Sequence, residues 1–174
     1  MILSRAEIDR RVAAGSITIS PYCAEQLNPT SYSYRLGLEI SELSSTGPHA
    51  GRGDTVVEIP DAGMVLQPGR LYLSHTYEVI GSRECVVTLM GRPAIGRLGL
   101  FVQLSADLGN VGDAHRWTLE LTCVQPVMIY PRMLIGELTF WETRGELAFY
   151  AGPYTRFSRP TGNMRELISR SVEP

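Results

Sequence analysis

The chain contains no lysine; all 16 of its basic side chains are arginine. That absence excludes a lysine Schiff base and a lysine general base, and it leaves any phosphate recognition to guanidinium forks and backbone N–H groups. Cysteine is also sparse. Cys23, Cys85 and Cys123 are widely spaced, odd in number and never arranged as C-x-x-C, which argues against a disulfide framework and a zinc site. Cys85 and Cys123 lie in apolar, strand-like runs and read as small core residues. No run of about 20 apolar residues is present to span a membrane. The opening MILSRAEIDRR lacks the apolar stretch of a signal peptide, so a soluble cytoplasmic protein is expected. A formal net charge of −2 gives no whole-protein attraction to a nucleic acid polymer or an anionic membrane. Any anion must be met by a local cluster.

Chemical motifs are missing as well. There is no G-x-S-x-G elbow, no phosphate-cradling G-x-x-x-x-G-K-[ST] loop and no G-x-G-x-x-G leading from a strand into a helix. His49, His75 and His115 show no metal-ligand spacing. The H-x-E and P-C-x-x-C pair of the zinc nucleobase deaminases is absent. Base deamination by this chain would therefore proceed without zinc.

What is present fits one globular domain over residues 1–174. The chain is long enough to bury most of its unfolded surface, and its 20% charged residues are ordinary for a folded protein. The start predicts a helix over LSRAEIDRRVAAG, with Ser4 and Glu7 as a capping box, Leu3 and Ile8 as a hydrophobic staple and Gly15 as the stop. After it the apolar period becomes two. Strands are expected in 31–40, 55–59, 70–80, 84–90, 98–105, 116–123, 126–130 and 133–141, separated by Gly-, Pro- and Asn/Asp-rich clusters that include 61–70. Many short strands with turn signals predict a mainly β sandwich, jelly roll or distorted barrel. A short C-terminal helix is expected after Asn163.

In RWTLELTC (116–123), Trp117, Leu119, Leu121 and Cys123 share one face, while Arg116, Thr118, Glu120 and Thr122 share the other. Glu120 is thus a mid-strand carboxylate opposite a strongly apolar face. Glu137 and Glu142 read as ordinary surface alternation and receive no role. In GRPAIGRLGL (91–100), Arg92 and Arg97 sit among small apolar residues with no acid nearby in sequence, and the stretch reads as a turn leading into a core strand.

Taken together, these segments resemble the dCTP deaminase family of the dUTPase-like superfamily. The opening MILSRAEIDRRVAAGSITISP resembles the family's first helix and strand, and LNPTSYSYRLG its second motif. MGRPAIGRLGL resembles G-R-S-S-x-x-R-L-G-L, VQLSADLGNVGDAHRWTLEL the stretch leading to the catalytic glutamate, and PRMLIGELTF the R-P-G-M-x-I-x-x-L-x-F strand. The resemblance implies a distorted β-barrel subunit with short terminal helices, and a homotrimer with active sites between subunits. It implies Mg²⁺ carried on the nucleotide's phosphates, with no protein side chains as ligands and no zinc.

Residue by residue, it implies Glu120 as general acid/base and Arg97 as the group holding the attacking water and the pyrimidine. Arg92 and Ala94 fall on phosphate contacts, Ala106 and Thr118 on the base and water region, and Asn110 on the sugar. Tyr154 and Arg156 belong to a tail, residues 148–174, that closes over the nucleotide. The default activity is dCTP plus water to dUTP plus ammonia. A dUTPase-type pyrophosphatase and an inactive nucleotide-binding homologue are the alternatives.

Two departures bear on this. The family's two serines are Pro93 and Ala94, and Pro93 offers neither a hydroxyl nor an N–H. The family aspartate ten residues before Glu120 is Asn110, which can hydrogen-bond a sugar hydroxyl but cannot act as a base. In dUTPases and bifunctional relatives that aspartate activates the hydrolytic water, so Asn110 argues against pyrophosphate cleavage.

Overall fold

The computed structural model describes residues 1–43, 55–102, 107–112 and 114–149. Helix α1 (Arg5–Ala13) is followed by β1 (Ile17–Ser20), a 3₁₀ turn (Ala24–Gln26), β2 (Tyr32–Arg35), β3 (Glu39–Glu42), β4 (Val57–Glu58), β5 (Met64–Leu66), β6 (Leu71–His75), β7 (Val79–Ser82) and β8 (Cys85–Gly91). A five-residue helix, α2 (Pro93–Arg97), then leads into β9 (Leu100–Val102), β10 (Thr118–Cys123), β11 (Val127–Ile129) and β12 (Leu134–Glu142). The strands form a five-stranded sheet of order β4-β3-β6-β10-β9, a three-stranded sheet β2-β12-β8, and the pairs β1-β7 and β11-β5. All described pairings are antiparallel.

The mainly β expectation holds, and the differences are instructive. The run 31–40 breaks after Arg35 and the run 70–80 breaks after His75, because at each point the chain passes to another sheet, from β2 beside β12 to β3 beside β6 and from β6 beside β10 to β7 beside β1. The segment 61–70, read as a separator, contains β5, whose Met64 and Leu66 pair with Ile129 and Val127. The turn expected between Arg92 and Arg97 is helix α2. Proline starts it without penalty, since the first N–H of a helix has no partner to lose. The C-terminal helix expected after Asn163 lies outside the described residues.

At α1, the staple residues Leu3 and Ile8 are buried and Gly15 adopts φ 78°. The capping box does not form. Ser4 is the N-cap with extended backbone, but its side chain makes no capping bond. Glu7 instead accepts from Arg10 Nε at 2.8 Å, Arg10 Nη2 at 2.7 Å and Arg11 Nε at 2.6 Å. Charge-assisted bonds to two guanidiniums outcompete one backbone N–H.

The sheets enclose one core that includes Tyr32, Tyr34, Leu36, Leu89, Leu119, Leu121, Ile135, Leu138 and Phe140. Burial pushes the Cys85 and Cys123 thiols up, in keeping with unreactive core cysteines. Gly136 lets Tyr34 lie across β12, since a Cβ there would stand 2.1 Å from the Tyr34 ring. Just before β12, Arg132 holds φ 61°, a left-handed conformation that costs a non-glycine residue about 1–2 kcal/mol. The resembling motif has glycine between Pro131 and Met133, where this conformation is free of strain.

Candidate functional site

Strand β10 alternates as its sequence requires: Leu119, Leu121 and Cys123 are buried, and Thr118, Glu120 and Thr122 are half-buried. Direct cross-strand partners share a face, so Glu120 stands beside Leu73 of β6, and Leu73 in turn beside Ser41 of β3. Thr118 pairs with His75 in the next row. The His75 ring is fixed by Nδ1 at 2.8 Å from the Thr76 carbonyl, and it packs where Gly37 has no Cβ. Glu120 is therefore a carboxylate on a partly shielded sheet face, between an apolar neighbour on one side and a hydroxyl–imidazole pair one row away.

The stretch carrying Asn110 packs against the start of β10. Gly109 N–H donates to the Val87 carbonyl at 2.7 Å, and a Cβ on Gly109 would stand 1.9 Å from the Trp117 ring. Trp117 stacks on His115 with ring centroids 4.6 Å apart and donates Nε1–H to the Ile80 carbonyl at 3.0 Å. Asn110 is exposed beside this aromatic pair and buried Val111.

Arg92 and Arg97 stand at opposite ends of α2. Arg92 is the N-cap; its N–H donates to the Ile135 carbonyl at 3.2 Å and its carbonyl accepts from Ile95 and Gly96. Its Nε lies 4.0 Å from Glu137 Oε1, and Ser31 Oγ donates to Glu137 Oε2 at 2.8 Å. Glu137, read from sequence as plain surface alternation, is thus Arg92's counter-charge. The contact crosses from β12 to the end of β8 and left no local trace in the sequence. Ala94 is exposed on α2.

Arg97 is exposed at the other end of α2, and among the described residues no carboxylate lies within 4.0 Å of it. The next carbonyl, that of Leu98, accepts from the Gln125 side chain, five residues beyond Glu120. From there β9 runs back along β10, with Leu100 paired to Cys123, three residues beyond Glu120. Within one chain no ion pair joins Arg97 to Glu120 among the described residues. Ala106, Tyr154 and Arg156 lie outside the described residues. Among the described residues no three His, Cys, Asp or Glu side chains converge as a cation donor set, and no helix is long and apolar enough to cross a membrane.

Comparison with known proteins adds to this geometry. A family model described as dCTP deaminase-like matches residues 2–143. The chain is 35% identical over 175 residues to a dUMP-forming dCTP deaminase of Hathewaya histolytica, covering 99% of this chain and all of the relative. It is 39% identical over 160 residues to a dUMP-forming dCTP deaminase of Cytophaga hutchinsonii, covering 88% and 90% of the two chains. It is 40% identical over 151 residues to a dCTP deaminase of Rhodopirellula baltica, covering 84% of this chain and 74% of that one. Among solved structures, the fold matches a 2'-deoxycytidine 5'-triphosphate deaminase from Agrobacterium tumefaciens with a TM-score of 0.67 at 19% identity. That match covers 82% of this chain and 48% of the solved one, so the present chain spans about half its length.

Proposed function

Because the chain belongs to the dCTP deaminase-like family, we propose that it hydrolyses the C4 amino group of a cytosine nucleotide, dCTP by default, to give dUTP and ammonia. The observation that carries this reading is Glu120, a half-buried carboxylate fixed in mid-strand beside Leu73 and one row from Thr118. Hydrolytic deamination adds water to C4, protonates N3, and expels the protonated amine as ammonia. One carboxylate can take the water's first proton and pass it to N3, then take the second from the new C4 hydroxyl and pass it to the amine. Positioned proton transfer of this kind contributes about 10²–10⁴-fold.

A guanidinium beside that water orients it and favours the ionised carboxylate. Arg97 is the residue for this role, and its lack of a carboxylate within 4.0 Å among the described residues supports a site completed by a second copy. We therefore read the protein as a homotrimer with sites between subunits. Arg92 and the Ala94 N–H face the phosphates, Ala106 and Thr118 the base and its water, and Asn110 the sugar. Tyr154 and Arg156 cover the nucleotide from the tail. Mg²⁺ enters on the phosphates; the described residues offer it no donor cluster of their own, and none is needed. Phosphate binding then orients the base with interactions remote from the reacting carbon.

The names of the Hathewaya and Cytophaga relatives favour a second reading, in which the product is dUMP with loss of pyrophosphate. Against it stands Asn110, which lacks the basic oxygen needed to activate a second water. Incubating the protein with dCTP, dCMP and CTP and measuring ammonia and pyrophosphate separately tests both. Ammonia from dCTP without pyrophosphate is expected. Ammonia and pyrophosphate together would establish the dUMP route, and a folded trimer that turns over none of the three would overturn the deaminase reading.

A further inference from the structure

We infer that the surface around Tyr77 is a second anion site, built to hold a phosphate group of a small ligand. Three arginines from three separate segments converge on this residue. Arg35 Cζ stands 4.8 Å from the Tyr77 ring centroid and Arg132 Cζ 5.4 Å from it. Arg116 Nε donates to the Tyr77 carbonyl at 3.2 Å. The segments are tied together by their backbones. Tyr77 N–H donates to the Arg35 carbonyl and Thr76 N–H to the Trp117 carbonyl, each at 2.8 Å, and Arg132 N–H donates to the Leu36 carbonyl at 3.0 Å. The backbones that carry Arg35, Arg116 and Arg132 are thus tied into one neighbourhood around Tyr77.

The charges do not cancel. Glu78, fully buried, takes Arg35: its Oε1 accepts from Arg35 Nε at 2.6 Å and its Oε2 from the Arg35 N–H at 3.0 Å. Among the described residues no carboxylate lies within 4.0 Å of Arg116 or Arg132. Arg116 is half-buried and Arg132 exposed. Arg116 and Arg132 therefore have no described carboxylate partner, and both are held at Tyr77, Arg116 on its carbonyl and Arg132 against its ring.

Arg132 is the independent sign. It occupies a left-handed turn position at φ 61°, where the resembling motif has glycine. Residues held in such conformations concentrate at ligand sites, where the strain is offset by what the side chain binds. A cation–π contact at an open surface is among the weaker interactions and does not by itself account for a strained residue. Guanidinium forks from two directions suit a tetrahedral oxyanion, which accepts from several N–H donors at once, better than a single planar carboxylate. The site shares no residue with the phosphate contacts proposed at Arg92 and Ala94, so the two can be tested apart.

The experiment is a calorimetric titration of the full chain with inorganic pyrophosphate. The wild type is expected to bind at two sites per chain. Arg132→Gly places the unstrained residue at φ 61°, so it should fold and melt higher than the wild type without ligand. It should lose one site, its affinity there falling by about tenfold or more, while the deaminase turnover number holds. Arg116→Gln should weaken the same site, and Arg92→Ala should remove the other. Titrations of Arg132→Gly and Arg116→Gln that both match the wild type would overturn the inference. So would loss of all pyrophosphate binding on Arg92→Ala alone.

Discussion

Arg92 Nε and Glu137 Oε1 stand 4.0 Å apart where β8 gives way to α2, and Ser31 holds the other Glu137 oxygen at 2.8 Å. The carboxylate is therefore anchored on one side and faces the proposed phosphate-binding guanidinium on the other. A phosphate arriving at Arg92 competes with it. A half-exposed pair of this kind is worth about 0.5–1 kcal/mol. Glu137→Gln is expected to tighten nucleotide binding by about two- to fivefold while leaving the turnover number unchanged. Steady-state KM and kcat for dCTP, with a direct nucleotide titration, check this; a KM equal to that of the wild type would show that Glu137 does not compete.

Glu120→Gln keeps the size and polarity of the side chain and removes its basicity. Ammonia release should fall by about 10²–10⁴-fold, with nucleotide-induced thermal stabilisation retained. A variant that still deaminates at more than about a tenth of the wild-type rate would remove Glu120 from the acid/base role.

Asn110 stands exposed beside Gly109, which is seated on the Trp117 ring. Substitution there should change chemistry more than fold. Asn110→Asp is expected to raise pyrophosphate release from dUTP above that of the wild type. Coupled pyrophosphate detection gives the answer, and no increase in a variant that still deaminates would show that the carboxylate alone is insufficient on this scaffold.

Glu78 is fully buried with three polar partners: the Arg35 N–H, Arg35 Nε and, at 3.4 Å, Gln26 Nε2. Removing its carboxylate leaves the partly buried Arg35 charge uncompensated. Glu78→Ala should destabilise the fold by about 3–5 kcal/mol, and Glu78→Gln by less because an acceptor for the Arg35 N–H remains. Urea unfolding of both variants tests the order.

The Arg10 hydrogen bonds first, and those of Arg11 next, hold the Glu7 carboxyl down at about 2, from an ordinary 4.5. A carboxyl depressed in the folded state contributes stability that is complete above its unfolded value and is lost as pH falls toward the folded one. Stability should therefore decline between pH 4.5 and about 2, by a small amount because the pair is solvent-exposed. Subtracting the pH profile of Glu7→Gln from that of the wild type isolates this share; identical profiles would show that the α1 pairs contribute nothing.

Much of this was legible along the chain. The alternation in 116–123 put Leu119, Leu121 and Cys123 inside and Glu120 on the opposite face, because successive strand residues must point to opposite sides. Leu3, Ile8 and Gly15 marked the α1 ends through local geometry alone. The capping box failed for a reason that also lies within α1: Arg10 and Arg11 sit one turn beyond Glu7 and offer stronger donors than the Ser4 backbone. Helix α2 was missed because a proline and two glycines read as a turn, although proline at a helix start is harmless.

Sequence by itself determined the strand-rich character, the face on which Glu120 lies and the absence of a hydroxyl donor at Pro93 and Ala94. These follow from residue type and short-range period. Only the tertiary structure decided that Glu137 faces Arg92, that Trp117 lies under Gly109, and that Arg35, Arg116 and Arg132 meet at Tyr77. It alone placed Arg97 at the end of α2 with no carboxylate within 4.0 Å among the described residues. Each of these depends on which strands become neighbours and in what register. That is fixed by burial of a shared core, and a single strand's pattern carries no record of it.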